Sequence, residues 1–299
     1  MKIKIICWNW YNTMLGRLAA LFVESNPKLS TKLLYNKNFG VRLRLDEPHN
    51  LNEKLQKLKL FNYYNNPSIT NCVDKYAVRK ELSLKGMEHI LPKLYGVYDD
   101  ASQIDFEKLP DSFVIKCNHG CGYNVICKDK TKLNIQETKD LLNAWMMKDY
   151  WKDACEYQYR FIKKKIVVEE FLNGLNGDDV ITYKFYCFNG KPKVVYVSFM
   201  GEDGEQDKYI DYFDMDFNHL NIALKGHGNY PGKVKKSARF EEMREVAGKL
   251  AAPFPFVRID LYEAENGIYF SEFTFIPTGG LMAFEPMSVL DEWGEWLVI

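Results

Sequence analysis

The amino-acid sequence predicts an α+β protein whose C-terminal part contains a mostly antiparallel sheet. Residues up to about 71 show the helical spacing of apolar side chains, as in LNEKLQKLKLF from residue 51. The C-terminal part instead has strand patterns before and after one amphipathic helix. With 299 residues, 46% of them hydrophobic, the chain can bury one large core or two to three smaller ones.

The charge and the cysteine content narrow the class of protein. Forty basic residues balance 40 acidic ones, which argues against nucleic acid as a partner. Seven cysteines without a CxxC pair favour reduced thiols in a cytosolic protein. A zinc site at Cys117, Cys121, Cys127 and His119 is an alternative, although structural zinc sites usually contain a closely spaced pair.

The N-terminal segment is apolar but does not predict a membrane span. No run of about 18 uncharged apolar residues occurs, and Arg17 interrupts the apolar stretch. An ordinary packed helix is expected there. The alternative is an amphipathic segment on a membrane or partner surface, because Trp8 and Trp10 suit an interface. The predicted location is the cytoplasm, and the inner face of the membrane is the alternative.

The middle of the chain mixes short helices and strands. Asn50 or Asn52 is predicted to cap the helix that starts near residue 51. Periodicity then predicts helices over 74–85 and 136–151 and strands over 94–98, 113–117 and 125–127.

The segment FVIKCNHGCGYNVICKD predicts a strand, a glycine-containing loop and a second strand. Lys116 ends the first strand, and Gly120 and Gly122 lie in the loop beside His119. Glycines let backbone N–H groups approach anionic oxygens, so such a loop can close over phosphates. A plain flexible turn with a hydrogen-bonded histidine is the alternative.

The apolar strand KIVVEEFL ends in Glu169 and Glu170 and leads into the linker NGLNGDD, where a hinge between two lobes is expected. Backbone groups just past such a strand can bind an adenine edge, and a carboxylate can take the ribose hydroxyls. The alternative is that these acids are solvated charges at a strand end.

Beyond the linker, a hairpin is predicted with its turn at Asn189–Gly190, and Lys184 lies on its first strand on the same face as Tyr186. DKYIDYFDMDFNHL predicts another strand pair. KKSARFEEMREVAGKLAA is the clearest amphipathic helix in the chain.

Acidic side chains converge on the last predicted hairpin, VRIDLYE and IYFSEFTF, with its turn placed at Asn266–Gly267. Alternation along a strand puts Arg258 and Asp260 on one face, and Glu272 and Thr274 likewise share a face. Carboxylate oxygens facing inward suit Mg²⁺, which completes its octahedron with water and nucleotide phosphates. Arg258 would then lie beside the phosphates. A surface hairpin with scattered acids is the alternative.

Taken in order, these motifs resemble the ATP-grasp superfamily. The series comprises Asp74–Lys75, FVIK, the NHGCGYN loop, VVEEFL, YKFYCFNGK, and VRIDLYE with SEFTFIPTGG. Within the superfamily the chain is similar to the TupA-like family, which is associated with teichuronopeptide and other surface-polysaccharide biosynthesis. The resemblance runs from about residue 51 to the C-terminus.

The resemblance implies an ATP-grasp fold, in which two α+β lobes clasp ATP behind a mainly helical N-terminal region. The regions expected are 1–71, a smaller lobe with the glycine-rich lid over 72–170, and a larger lobe with the metal site over 171–299. The resemblance also implies an ATP-dependent carboxylate–amine ligase that uses Mg²⁺, with Mn²⁺ as the alternative metal. Its partners would be ATP and carboxylate and amine substrates, either small molecules or glycans.

The resemblance also assigns roles to residues. Lys75, Lys116 and the lid at His119, Gly120 and Gly122 would contact the nucleotide, Glu169, Glu170 and the backbone to Leu172 would hold adenine, and Asp178 or Asp179 would take the ribose. Lys184 and Arg258 would steady the γ-phosphate or an acyl phosphate, and Asp260 and Glu272 would bind the metal.

One departure concerns Thr274, which stands where many ATP-grasp enzymes have an asparagine and which would be a weaker metal ligand. Because of this departure, a non-catalytic nucleotide-binding protein is an alternative to the ligase. A nucleotide-sugar glycosyltransferase is the other rival, because Asp214 and Asp216 form a DxD pattern that can hold a metal on a diphosphate.

Overall fold

The computed structural model describes residues 2–199 and 207–299 and, for residues 2–11, the backbone alone. Trp8 and Trp10, predicted for an interface, therefore lie outside the described side chains. The α-helices are α1 Lys2–Phe22, α2 Pro27–Phe39, α3 Leu51–Phe61, α4 Pro67–Val73, α5 Val78–Leu84, α6 Ile135–Met146, α7 Phe240–Ala251 and α8 Val289–Trp296. No helix in this described part combines the length and apolar character needed to cross a membrane.

Two antiparallel sheets form the framework of the described chain. The strands are β1 Leu94–Tyr98, β2 Phe113–Cys117, β3 Asn124–Cys127, β4 Ile166–Glu170, β5 Ile181–Phe188, β6 Lys191–Phe199, β7 Tyr209–Asp214, β8 His219–Leu220, β9 Ala223–Leu224, β10 Phe256–Ala264, β11 Gly267–Thr274 and β12 Phe284–Glu285. The four-stranded sheet has the order β1-β4-β2-β3, and the six-stranded sheet has the order β11-β10-β5-β6-β7-β8. A separate pair joins β12 to β9. The α+β class predicted from the sequence is confirmed.

The six-stranded sheet is buried because α7 covers one of its faces. Phe240, Met243 and Leu250 of α7 have no exposed surface, as the helical spacing of this segment predicts. Aromatic rings fill the space between helix and sheet; Phe240 packs against Phe185 at 5.8 Å between ring centroids. This packing leaves the opposite face of the sheet available to polar side chains.

The N-terminal region is attached to the C-terminal end through polar contacts from α3. Asn50 caps α3 by accepting a hydrogen bond from the Glu53 N–H at 3.0 Å. Asn52 exchanges two hydrogen bonds with the backbone of Met282, and Lys54 Nζ donates to the carbonyls of Gly294 and Leu297. Helix α3 therefore packs on the larger lobe.

Two predicted helices have different limits in the structure. The helix expected over 74–85 starts only at Val78, because Asp74 accepts hydrogen bonds from the N–H groups of Tyr76 and Ala77 in a local turn. The helix expected over 136–151 ends at Met146, and Trp151 lies in a short 3₁₀ turn.

The two predicted hairpin turns had different outcomes. Asn189 and Gly190 both have positive φ, 47° and 77°, and join β5 to β6 as predicted. The turn between β10 and β11 lies one position earlier than predicted, at Glu265 and Asn266, because Gly267 already pairs with Ala264.

Substitution of two glycines should change stability in opposite directions. Gly190→Ala should lower the free energy of unfolding by about 1–2 kcal/mol, since φ is +77° and a Cβ would lie 3.0 Å from the Ala252 carbonyl oxygen. Gly248→Ala, inside α7, should raise it by about 0.5–1 kcal/mol, because a Cβ there meets only the Pro192 ring, at 3.6 Å from Cδ and 3.9 Å from Cγ. Urea unfolding of both variants measures this; changes of the same sign would contradict the backbone argument.

Candidate active site

The β10–β11 hairpin carries the acidic side chains on the face opposite α7. Arg258 pairs with Thr274 and Asp260 with Glu272 across the two strands. On the other side of β10, Asp260 pairs with Lys184 of β5. Directly opposed residues on adjacent strands have neighbouring side chains, so this register groups two carboxylates with Lys184 and Arg258.

Arg258 is the centre of the hydrogen-bond network on this face. Its Nε and Nη2 donate to Oδ1 and Oδ2 of Asp260 at 2.7 and 2.6 Å, and Nη2 also donates to Thr274 Oγ1 at 3.0 Å. Glu272 Oε1 lies 3.6 Å from the same nitrogen. Burial alone would lower the pKa of Arg258, but the Asp260 carboxylate outweighs it and raises that pKa well above the usual range.

Glu272 is the acid whose environment favours the ionised form. Burial alone would raise its pKa, but the charges of Lys75, Arg258 and Lys184 outweigh burial and lower the pKa. Asp260 differs, because its deeper burial raises its pKa despite Arg258 and Lys184. A cation at this face would find Glu272 already deprotonated.

Lys184 also faces this polar surface and is paired in the structure. Its Nζ lies 2.5 Å from Asp207 Oδ2 and 5.4 Å from the ring centroid of Tyr196. Burial would lower the pKa of Lys184, but Tyr196 and Asp260 outweigh it and raise the pKa. Lys184 is therefore a fixed positive charge.

The smaller lobe presents Lys116 at the end of β2. Its Nζ lies 2.8 Å from Glu169 Oε2, and Arg79 Nη1 binds Glu169 Oε1 at 3.0 Å. Arg79 also donates to the Pro92 carbonyl at 2.7 Å. Burial opposes the charge of Lys116, yet Glu169 outweighs it and raises the pKa of the lysine. Glu169 therefore orients Lys116, a contact that the sequence did not predict.

The loop between β2 and β3 is held at both its base and its tip. At the base, Asn118 Nδ2 donates to Asp74 Oδ1 at 2.8 Å. At the tip, Lys75 Nζ donates to the Gly120 carbonyl at 2.5 Å and lies 3.9 Å from Glu272 Oε2. A Cβ on Gly120 would lie 2.8 Å from Tyr150 Cγ, so the glycine lets the loop lie close to that ring.

The predicted site residues meet in a cleft of about 710 Å³ between the two sheets. Its walls bring together nine of them: Lys75, Lys116, Gly122, Glu170, Leu172, Asp179, Lys184, Asp260 and Glu272. Cys121 of the lid also lines the cleft. Lysines from both sheets and the two carboxylates of the β10–β11 hairpin therefore line one cleft.

Several predicted residues lie behind the cleft walls rather than on them. Arg258 does not line the cleft but donates a hydrogen bond to Asp260, which does. Thr274 likewise donates to Glu272 in the cleft wall. Glu169 is turned to Lys116 and Arg79, and Asp178 is exposed outside the cleft lining. Asp179, in contrast, lies in the cleft wall.

His119 faces the core and not the cleft. It is buried, its Nε2 lies 3.2 Å from the Trp145 carbonyl oxygen, and its Nδ1 has no hydrogen-bond partner. Burial, with a smaller effect from Lys164, lowers its pKa to about 4. The hydrogen-bonded loop histidine considered as an alternative matches this placement.

Two cleft residues were missed by sequence reasoning. Asp207 pairs with Lys184, and Lys128 Nζ binds Asp179 Oδ1 at 2.6 Å across the lobes. Both lie among other charged residues in polar stretches, and their partners are 23 and 51 positions away. No local pattern distinguishes them from solvated surface charges.

The carboxylates fit a magnesium site of two protein ligands. Among the described side chains of residues 12–199 and 207–299, no three His, Cys, Asp or Glu side chains converge as a metal site. Mg²⁺ is commonly held by one or two carboxylates, with nucleotide phosphates and water completing the octahedron. Asp260 and Glu272 supply that number on one face.

The DxD pattern forms a turn instead of a ligand pair. Asp214 Oδ1 accepts hydrogen bonds from the N–H groups of Asp216 and Asn218, and Oδ2 accepts from Asn218 Nδ2. These bonds close the tight connection from β7 to β8. Neither acid lines the cleft between the sheets.

A family model described as TupA-like ATPgrasp matches residues 53–298. The chain belongs to the TupA-like ATP-grasp family. The match includes both sheets and every cleft residue named above, and the ATP-grasp fold predicted from the sequence is confirmed. No curated protein matches the chain.

Among solved structures, this ATP-grasp protein is similar to D-alanine–D-alanine ligase from Bacillus anthracis complexed with ATP, at 16% identity over 69% of this chain and 54% of that one, with a TM-score of 0.40. L-amino acid ligase from Bacillus licheniformis shows 15% identity over 86% and 55%, with a TM-score of 0.41. D-alanine–D-alanine ligase from Helicobacter pylori shows 17% over 84% and 71%, at 0.43. The chain spans about half the length of the first two.

The buried His119 predicts a specific pH dependence of stability. Its folded-state pKa of about 4 lies below the ordinary value of about 6.5, so the unfolded chain takes up the proton first. The contribution of the neutral His119 to the free energy of unfolding is complete above about pH 6.5 and is lost as the pH falls towards about 4. Urea unfolding at pH 7 and pH 5 should show a larger loss for wild type than for His119→Gln. Equal losses would contradict a neutral buried imidazole.

Proposed function

We propose that this ATP-grasp protein is an ATP-dependent ligase that joins a carboxylate to an amine through an acyl phosphate. The observation that carries the proposal is the cleft in which Lys116 and Lys184 of opposite lobes face Asp260 and Glu272. Phosphoryl transfer requires positioning and charge neutralisation more than covalent catalysis by protein groups, and this cleft offers both.

The proposed nucleotide position follows the cleft from end to end. Leu172 and Val114 line the apolar end and suit the adenine, with Asp179 placed for the ribose hydroxyls. Lys75 and Lys116 would hold the phosphates, since both lie beside the lid loop or the strand leading to it. Glu170, also in the wall, would lie near the adenine.

The reaction would take place at the carboxylate end. Asp260 and Glu272 would hold Mg²⁺, which shields phosphate charge and orients the γ-phosphate. Arg258 and Lys184 would stabilise the negative charge on the transferred group. A substrate carboxylate would attack the γ-phosphorus, with ADP leaving, and an amine would then displace phosphate from the acyl phosphate to give an amide.

The family supports a role in building cell-surface polysaccharide or teichuronopeptide, at the cytoplasmic side where ATP is available. An amide bond between an amino acid and a uronic-acid carboxylate is the product type that fits this ligase chemistry. The N-terminal segment would provide any peripheral membrane contact.

Glu272→Gln should abolish ADP production while leaving the fold intact. Gln keeps the size of the side chain but removes the charge that a metal needs, so turnover should fall by about 100-fold or more. The measurement is ADP release with Mg-ATP across paired carboxylates and amines, with melting temperature as the check on folding. Turnover equal to wild type would refute the metal role.

Asp214→Asn is the matched control and separates the two enzyme classes. It removes one acidic charge elsewhere on the same sheet, and Asn can retain the turn bonds at Asp214. Mg-ATP titration should give unchanged affinity. Binding of a nucleotide sugar that Asp214→Asn abolishes, without ATP binding, would favour the glycosyltransferase. ATP binding without ADP from any substrate pair would favour the non-catalytic protein.

A further inference from the structure

One acidic side chain in the cleft has no role in the proposed chemistry. Asp207 lies in the cleft wall with Lys184 and Asp260, two residues before the start of β7. Asp260 and Glu272 would bind the metal, whereas Asp207 has neither a metal nor a substrate group as its proposed ligand. A carboxylate in a cleft that holds a triphosphate disfavours that ligand, because like charges repel. Asp207 therefore opposes the binding of phosphate groups near it.

The carboxylate of Asp207 is bound by the lysine that would steady the γ-phosphate. Lys184 Nζ donates a hydrogen bond to Asp207 Oδ2 at 2.5 Å. The side chain of Ser198, a residue with 3% exposure, also hydrogen bonds to the Asp207 carboxylate. The ammonium group proposed for the γ-phosphate is thus already held by an anion of the protein itself.

The Lys184–Asp207 pair is shielded from solvent. The Lys184 side chain is 12% exposed and the Asp207 side chain 30% exposed. Water and salt screen such a pair less than they screen a pair on the surface. The pair separates readily only when the ammonium group gains another anion, and a phosphate oxygen is as good an acceptor for a lysine as a carboxylate oxygen.

The backbone of Asp207 is fixed in a conformation that few residue types adopt. Its φ is +55°, in the left-handed region that is unfavourable for most residues with a side chain. Its carbonyl oxygen lies 2.7 Å from His227 Nδ1, and the Gly228 N–H donates to the next carbonyl, that of Lys208, at 3.2 Å. Such conformations persist where surrounding contacts enforce them, and they concentrate at functional sites. The loop at 227–228 therefore anchors the backbone on which the carboxylate turns.

Lys184 cannot bind Asp207 and a phosphate independently of each other. Asp260 lies opposite Lys184 in the register of β5 and β10, so two carboxylates already surround this ammonium group. An ammonium group has three donors and can contact several anions. A phosphate oxygen on the same nitrogen would nevertheless lie close to the Asp207 carboxylate, and like charges so close repel strongly in partly buried surroundings. Asp207 lowers the affinity for phosphate whether it stays or leaves.

We propose that Asp207 sets the affinity of the cleft for the γ-phosphate by competing with it for Lys184. The carboxylate holds the lysine before ATP binds, turns away on its anchored backbone when the γ-phosphate arrives, and returns once the phosphoryl group has left. This inference rests on the proposed ligase function and deepens it, because it names the residue that regulates binding at the same site. Such competition divides the intrinsic affinity by the ratio of total protein to protein with a free lysine.

The test compares two nucleotides by calorimetry on the full chain in Mg²⁺: the β,γ-imido analogue of ATP, and ADP. Asp207→Asn removes the charge and keeps the shape, and Asn tolerates positive φ well. This variant should bind the ATP analogue at least about fivefold more tightly than wild type, since Lys184 is free of its competitor. Its affinity for ADP should stay within about twofold of wild type, because ADP lacks the phosphate that reaches Lys184.

A second variant and a control make the comparison specific. Asp207→Gly removes the whole carboxylate and accepts φ of +55° without strain, so it should tighten the ATP analogue as well and covers the case in which Asp207→Asn does not fold. Asp216→Asn is the matched control, because it removes one charge from an exposed acid in the β7–β8 turn, outside the cleft lining. It should change neither affinity. Melting temperatures check the folding of all three variants.

Unchanged or weaker binding of the ATP analogue by a folded Asp207→Asn or Asp207→Gly overturns the inference and leaves the ligase proposal in place, because Asp207 would then only position Lys184. Equal tightening of the analogue and ADP, or equal tightening in Asp216→Asn, also overturns it, since the effect would then be one of overall charge. Failure of wild type to bind Mg²⁺ with the analogue at all instead refutes the proposed function, and the inference falls with it.

Discussion

The fork of hydrogen bonds from Arg258 to Asp260 is the interaction on which the polar face depends. A guanidinium buried with only 9% exposure requires a carboxylate partner, and a carboxylate at 1% exposure requires the guanidinium. The pair fixes the orientation of both side chains on one strand, and Thr274 extends the contact to β11. Because the planar fork binds both carboxylate oxygens at once, a lysine at position 258 would not reproduce this geometry.

The rest of the cleft extends the same pattern of paired charges. Lys116 faces Glu169, Lys184 faces Asp207, and Lys75 lies near Glu272. Positive and negative side chains are therefore balanced before a nucleotide enters. In the proposed reaction the lysines and Arg258 would exchange carboxylate partners for phosphate oxygens, which are equally good acceptors. A cleft of this kind is pre-organised for a polyanion without leaving buried charges unpaired.

Local sequence patterns predicted the strands, the α7 helix and the facing of Asp260 and Glu272, because each depends on residues within a few positions. The period of two in VRIDLYE and SEFTF states which side chains share a face. The Asn189–Gly190 turn was located for the same reason, since positive φ at both positions favours those residue types.

Contacts between distant segments were the part that sequence patterns could not supply. Asp74, whose local turn delays the helix start to Val78, also binds Asn118, which is 44 residues away. Glu169 was assigned to adenine, yet its partner Arg79 lies 90 positions earlier in the chain. Helix α3 looked like part of a separate N-terminal region, whereas its polar residues bind carbonyls more than 220 positions away. Periodicity reports which face is buried but not what covers it.

Thr274, which stands where many ATP-grasp enzymes have an asparagine, contacts both Arg258 and Glu272. Its hydroxyl accepts from Arg258 Nη2 at 3.0 Å and donates to Glu272 Oε1 at 3.3 Å. A hydroxyl can do both at once, so Thr274 links the guanidinium of Arg258 to the carboxylate of Glu272. This fixes Oε1 of Glu272, while Oε2 lies 3.9 Å from Lys75 Nζ, beyond hydrogen-bond length. Thr274 therefore orients Glu272 in the proposed site, and Oε2 is the oxygen that a cation would reach.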